Sequence, residues 1–254
     1  MKHYEKLIDM GCFSRNDVCV LLGNEAAAHS LLYDYVQKGL IERVRRDLYV
    51  AISLESKQPV KNRYSIASKI SKGSYITHHS AFEYYGCANQ VYYEIYVSGE
   101  KPFSSFDYDG VTYKYMKPHI NDGIVSNSNG ICVTDMERTV LDSINDFDKV
   151  GGLEELLKCI EQIPTINENK LIAYLKCFNS KGLYQKTGYV LEHFNRILNL
   201  SNSFFQECLN NIPNSKRYFC KYESKSTLVF NNKWNLYVPD DLLSIISKGA
   251  NCDE

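Results

Sequence analysis

Residues 12–52 read CFSRNDVCVLLGNEAAAHSLLYDYVQKGLIERVRRDLYVAI, and the punctuation of this stretch decides the fold. Ser14 is placed to cap a helix over Arg15 to Leu22, because a serine oxygen accepts an orphan amide of the first turn. Gly23-Asn24 breaks that helix, and Asn24 caps the next one. From Glu25 to Lys38, Ala28, Leu31, Leu32, Tyr35 and Val36 recur at helical spacing and form one apolar stripe. Gly39 falls where a left-handed residue closes a helix. Two strands follow, Ile41 to Val44 and Leu48 to Ile52, around a tip of Arg45, Arg46 and Asp47. With Tyr4 to Met10 as a leading helix ended by Gly11, the order is that of a winged helix-turn-helix. In that arrangement the second helix of the turn enters the major groove and the hairpin touches flanking phosphate.

Ser53 to Asn62, with Pro59, reads as a polar linker. Beyond it the periodicity predicts a helix from Tyr64 to Lys72, a strand at Tyr75 to Thr77 and a helix from His78 to Tyr85. Strands are expected at Val91 to Val97, Val111 to Met116 and Ile131 to Val133, with Asp109-Gly110 as a turn. Thr134 and Glu137 have the spacing of a capping box opening a helix to about Asp146, with Met136, Val140 and Ile144 inward. Helix formers then dominate: Leu153 to Ile163, Glu168 to Phe178 and Leu183 to Leu198. The chain returns to strands at Thr227 to Phe230 and Trp234 to Val238, and Asp240 is placed to cap a last helix. The expected fold class is mixed α/β (α+β). An N-terminal winged helix-turn-helix at 1–58 precedes a mixed region at 59–254, itself mixed over 59–150 and helical with a small terminal antiparallel sheet over 151–254.

Several segments resemble one family. Gly39-Leu40-Ile41-Glu42-Arg43-Val44-Arg45-Arg46-Asp47-Leu48-Tyr49 is similar to the wing of the AbiEi family, antitoxins of bacterial type IV toxin–antitoxin systems linked to phage abortive infection. Asp47 stands where members usually have glycine, a tolerable exchange because aspartate visits the left-handed region more readily than most residues. Tyr75 to Ala81 followed by Gly86 resembles the family's S/T-x-x-S-A-L-x-x-x-G segment. Val133 to Asp142 resembles its V-T-x-x-E-R-T-L-x-D segment, and Gly188 to Glu192 its G-Y-L-L-E helix. The resemblance implies a transcriptional regulator that represses its own operon. It also implies an antitoxin that counteracts a cognate nucleotidyltransferase-like toxin without a stable complex. Members often carry arginine in the recognition helix, where this chain offers His29, Ser30 and Tyr33.

Bulk composition is compatible with that reading. Of 254 residues, 44% are hydrophobic and 23% charged, which is ordinary for a globular chain and argues against disorder. No run of about 18 apolar residues is available to span a bilayer, and Met1 to Glu5 lacks the apolar core of a secretory signal. A cytoplasmic protein is expected, with nine cysteines as thiols and no CxxC pair. A net charge of −1 argues against indiscriminate coating of nucleic acid. Residues 1–58 hold eight basic and eight acidic side chains, yet Arg43, Arg45 and Arg46 crowd into the hairpin. That local basic edge favours double-stranded DNA as partner over a merely solvated hairpin. The candidate contacts are Asn24, His29, Ser30 and Tyr33 for bases and the three arginines for phosphate. Without an arginine for guanine, the operator is expected to be an A·T-leaning inverted repeat. A second basic feature is the +5 segment 181–233, where Lys181, Lys186, Lys216 and Arg217 form a candidate antitoxin surface, as Lys221 and Lys225 also suggest.

Enzymatic signatures are thin. His78-His79 is the most enzyme-like pair, but adjacent residues at a helix start point roughly 100° apart and do not chelate together. Neither a metal nor another cofactor is expected. Glu137 and Asp142 resemble paired carboxylates, but the capping box assigns Glu137 a structural task and Arg138 reads as an ion-pair partner. Cys12, Cys19, Cys132, Cys159 and Cys177 sit among apolar neighbours and read as core. Phosphate-cradling GxxxxGK[ST] and GxGxxG loops are absent from the sequence. Glu223-Ser224-Lys225 has the E-x-K shape of restriction-type nucleases without an upstream acid on a neighbouring strand. A metal-dependent nuclease is therefore the weaker alternative, and a stand-alone regulator without a toxin is the nearer one.

Overall fold

The computed structural model describes residues 3–220 and 227–240. Its helices and three sheets make a mixed α+β fold divided into two compact units. One unit comprises Met1–Ile76, Tyr92–Pro118 and Val125–Val133; the other comprises Thr77–Val91, His119–Ile124 and Thr134–Glu254.

The first unit begins with α1 (Tyr4–Met10), β1 (Cys12–Ser14), α2 (Arg15–Leu22), α3 (Glu25–Gln37), β2 (Ile41–Arg45) and β3 (Leu48–Ala51). Local chemistry explains each boundary. Ser14 and Asp17 form a full capping box at α2, and Gly23 closes it at φ 67°. Asn24 caps α3 by accepting from the Ala27 amide at 2.9 Å, and Gly39 leaves the helix at φ 63°. The strand β1, too short to show periodicity, pairs antiparallel with β3, so the wing sheet runs β1-β3-β2. Leu7, Phe13, Val18, Ala28, Leu32 and Ile41 form its core. Asp47 takes the left-handed wing turn at φ 60°.

The same unit continues through α4 (Arg63–Ala67) and a six-stranded mixed sheet of β4 (Tyr75–Ile76), β5 (Glu94–Ser98), β6 (Phe106–Tyr108), β7 (Val111–Tyr115), β8 (Ile124–Ser126) and β9 (Cys132–Thr134), in the order β6-β7-β5-β4-β9-β8. Helix α4 is shorter than the expected 64–72 element. Asn62 caps it, and Ser68 bonds back to the Tyr64 carbonyl at 3.0 Å while Ser74 takes the Ser71 amide. Such serine bonds compete with the helical ladder and end it.

The second unit contains α5 (His79–Tyr85), α6 (Met136–Asn145), a 3-10 turn (Phe147–Val150), α7 (Leu153–Glu161), α8 (Glu168–Phe178), α9 (Lys181–His193), α10 (Asn195–Leu198) and α11 (Asn202–Asn210). Three strands follow: β10 (Arg217–Tyr218), β11 (Leu228–Asn231) and β12 (Leu236–Pro239). The expected helix 183–198 is broken at Phe194 into α9 and α10. The terminal sheet is mixed instead of antiparallel, since β10 runs parallel to β12. The helix expected after Asp240 lies outside the described residues.

Helix α6 corrects the expected capping box. Asp135, not Thr134, is the cap and accepts from the Arg138 amide at 3.0 Å. Thr134 instead meets the Thr139 hydroxyl at 2.7 Å, and Glu137 accepts from the Asn167 amide at 2.7 Å. The helix is buried from Glu137 to Ile144, polar side chains included. Arg138 is the expected ion-pair partner. Its Nε donates to Asp142 at 2.9 Å and its Nη1 to the Asp122 carbonyl at 2.7 Å. Further on, Gly188 of α9 lies against the fully buried Trp234 ring, where a Cβ would stand 2.1 Å from a ring carbon.

Candidate nucleic-acid interface

Helix α3 turns Ala28, Leu32 and Tyr35 into the core of the winged module. The opposite face carries Ala26, His29, Ser30, Tyr33 and Gln37, all exposed, with Tyr33 65% accessible. His29, Ser30 and Tyr33 therefore share one solvent-facing surface. Asn24 stands at its N-terminal end with its Oδ1 committed to the Ala27 amide, leaving only the side-chain amide group to donate elsewhere. Ala26 and Gln37 were not among the sequence candidates. Their spacing of seven and four residues from Tyr33 carries the signal, since such positions share one face.

The three wing arginines occupy different environments. Arg46 lies at the tip with 89% of its side chain exposed and Asp47 at 4.0 Å. Arg43 is exposed on β2, and its Nε donates to the Arg45 carbonyl at 3.3 Å. Arg45 turns away from the tip. Its guanidinium sits 5.2 Å from the Phe103 ring and 5.0 Å from the Phe106 ring, and its Nη1 is buried. Phe106 in turn stacks on Tyr113 at 4.9 Å. One strand position earlier than Arg43, Glu42 accepts from the Tyr108 hydroxyl at 2.7 Å. Burial and that carboxylate together hold the Tyr108 phenol protonated far above its ordinary range. Arg45 and Glu42 thus fasten the wing to the segment around β6 within the first unit, so the sequence boundary at 58/59 falls inside this unit. Arg15, at the start of α2, faces Asp47 at 3.6 Å and adds a basic group beside the wing turn.

The +5 segment does not present a uniform basic face. Lys181, Lys216 and Arg217 are exposed, with the Lys216 amine 4.4 Å from the Phe230 ring. Lys186 is half-buried, its amine 5.9 Å from Phe147 and 5.5 Å from Phe219. Burial pushes its pKa down. Lys221, Lys225 and the Glu223-Ser224-Lys225 pattern lie outside the described residues. Of the cysteines read as core, Cys12 and Cys159 are buried, Cys19 and Cys132 half-buried, and Cys177 exposed on α8.

His78 and His79 part company. His78 precedes α5 at φ 54° with Nδ1 at 3.1 Å from the Thr77 hydroxyl, and burial lowers its pKa. His79 faces Glu155 of α7 at 3.3 Å.

No family model and no curated protein matches the chain. Among solved structures, it is similar to the RV2827C protein from Mycobacterium tuberculosis, with a TM-score of 0.61 over 94% of this chain and 90% of that chain, at 12% identity. The likeness is one of fold. It extends across both units and lends no residue role. Among the described residues, no helix is long and apolar enough to cross a membrane.

Proposed function

We propose that the chain binds double-stranded DNA through α3 and the wing, and that it represses its own operon. One observation carries the reading: an uncommitted face of α3 and a freely exposed arginine belong to one small module, with a winged helix-turn-helix order of elements. His29, Ser30, Tyr33 and Gln37 supply polar edges for base contacts, and Ala26 supplies a methyl surface suited to thymine. Arg43, Arg46 and Arg15 supply phosphate contacts that position the module without reading sequence. The protein acts as a binder and not as an enzyme. Its cytoplasmic location is part of the same proposal.

The AbiEi-like segments extend the reading to an antitoxin that counteracts a nucleotidyltransferase-like toxin without a stable complex. In that reading Lys181, Lys216 and Arg217 remain the candidate basic surface, and Lys186 serves packing. A footprint on the DNA upstream of the chain's own gene tests the first half. Protection of an A·T-leaning inverted repeat is expected, and loss of sequence preference in Tyr33→Ala and His29→Ala. Unchanged preference in both variants refutes the α3 assignment. Growth of cells expressing a neighbouring toxin gene, with and without this chain, tests the second half.

A further inference from the structure

The core of the second unit contains a group of donors that the DNA-binding reading does not use. Glu155 and Cys159 lie one turn apart on α7, and His79 and Glu83 lie one turn apart on α5, so each pair shares a helix face. His79 Nε2 lies 3.3 Å from Glu155 Oε1, and Cys159 Sγ lies 3.6 Å from the same oxygen. The ligand atoms of His79, Glu155 and Cys159 all fall within 4.8 Å of one another, and all three residues are buried. On its other ring nitrogen, His79 Nδ1 faces Glu83 Oε1 at 3.7 Å, and the Glu83 side chain is 2% exposed.

These separations can be compared with a tetrahedron. Zinc–nitrogen and zinc–oxygen bonds of about 2.0–2.2 Å place N and O about 3.3–3.5 Å apart at tetrahedral angles. A zinc–sulfur bond of about 2.3 Å places S and O about 3.5–3.7 Å apart. Both observed separations fall in these ranges. The surroundings also match what a ligand set requires. A metal-bound histidine usually gives its second N–H to a carboxylate, and Glu83 stands on that side of the ring at 3.7 Å, slightly longer than a hydrogen bond. A ligating carboxylate is itself hydrogen-bonded: Glu155 Oε2 accepts from the Asn89 side-chain amide at 3.3 Å, while the Asn89 and Gln90 backbone amides at 3.0 and 2.9 Å sit on Oε1, where an ion has to share or displace one of them.

We propose that His79 Nε2, Glu155 Oε1 and Cys159 Sγ bind a zinc ion that staples α5 to α7. Nitrogen, oxygen and sulfur together suit zinc better than the hard cations, which take oxygen alone. Burial raises the Cys159 thiol pKa, with Glu155 adding to the effect, so the metal must displace that proton on binding. Binding therefore releases the Cys159 thiol proton. The three side chains supply three ligands, and a water carried in with the ion takes the fourth tetrahedral position. The site opens to no solvent, so the ion enters as the chain folds.

The test uses the full chain, expressed in zinc-supplemented medium and measured for metal by mass spectrometry. About one zinc per chain is expected. Refolding with cobalt(II) should give a thiolate-to-cobalt charge-transfer band and strong tetrahedral visible absorption. Cys159→Ser should lose the band, while the control Cys208→Ser, at another buried thiol, should keep it. Glu83→Gln retains the ligands and should weaken metal affinity about 10–100-fold. A folded wild-type chain that carries no metal and shows no cobalt band overturns the proposal. So does an unchanged band in Cys159→Ser. If Cys159→Ser does not fold, the wild-type metal content and cobalt spectrum decide alone.

Discussion

Arg45 and Arg46 are neighbours of the same charge, and the structure gives them opposite jobs. Replacing each by alanine should separate those jobs. Arg46, with 89% of its side chain exposed, holds one phosphate in the proposed complex. Its loss should reduce the slope of log affinity against log salt by about 0.9. Over a fourfold salt increase that slope change amounts to about 3.5-fold in affinity. The unfolding midpoint should not move. Arg45 has its guanidinium near two rings, at 5.2 and 5.0 Å. Cation–π contacts contribute about 0.5–1 kcal/mol each when exposed and about 2 when desolvated, so the half-buried pair should be worth about 1–3 kcal/mol. Arg45→Ala also removes the alkyl stem packed beside the rings. It should lower the midpoint by several degrees while leaving the salt slope as in the wild type. Fluorescence anisotropy across a salt series and thermal denaturation by circular dichroism measure the two quantities. Equal flattening of the slope by both variants, with no change in midpoint, would place Arg45 on phosphate and refute this argument.

Asp47→Gly should tighten DNA binding at low salt, because it removes the carboxylate facing Arg15 and Arg46 at a residue already at φ 60°; weaker binding by anisotropy would contradict it. Gly188→Ala should cost about 1–3 kcal/mol or prevent folding, since its Cβ would stand 2.1 Å from the buried Trp234 ring; an unshifted denaturation midpoint would contradict it. Asp142→Ala leaves Arg138 buried without its carboxylate and should cost about 3–5 kcal/mol, much of which the double variant Arg138→Met/Asp142→Leu should restore. His78 has a pKa depressed mainly by burial, against the opposing pull of Asp142 and Asp146. Its contribution is therefore present above the unfolded histidine value of about 6.5 and lost as pH falls through the lower folded value, so His78→Gln should flatten the acid limb of a stability–pH curve.

Legibility in the sequence followed the locality of the forces. The winged module was readable because its boundaries are set by capping oxygens and glycines within four residues of the bonds they make, as Ser14, Asn24, Gly23 and Gly39 show. Strands β1, β6 and β8, three residues each, lie outside the expected strands because segments so short leave little periodic trace. The same limit affected the wing. Three arginines within four residues look alike in sequence, and only Phe103 and Phe106, nearly sixty residues away, distinguish Arg45 from its neighbours. In sequence His79 stands only beside His78, whereas its carboxylate partner Glu155 arrives from another helix 76 residues on.

The segment from Val133 to Asp142 shows what a resemblance of this kind transmits. Its polar residues are used inside the second unit or at its edge. Thr134 and Thr139 bond to each other, and Asp135 caps α6 and receives Lys170 and the Tyr174 hydroxyl. Glu137 takes the Asn167 amide, and Arg138 and Asp142 pair while Asp142 also accepts from Thr77. Side chains so committed cannot also read an operator or meet a toxin without unmaking the core, because an unpaired buried charge is far costlier than an exposed one. The segment is therefore a signature of fold. In the proposed DNA-binding reading, differences in target or partner lie on the outer face of α3, at Arg46, and at the exposed Lys181, Lys216 and Arg217. Grafting Ala26, His29, Ser30, Tyr33 and Gln37 onto a fold neighbour should carry operator preference with them, whereas grafting the Val133–Asp142 segment should change stability alone.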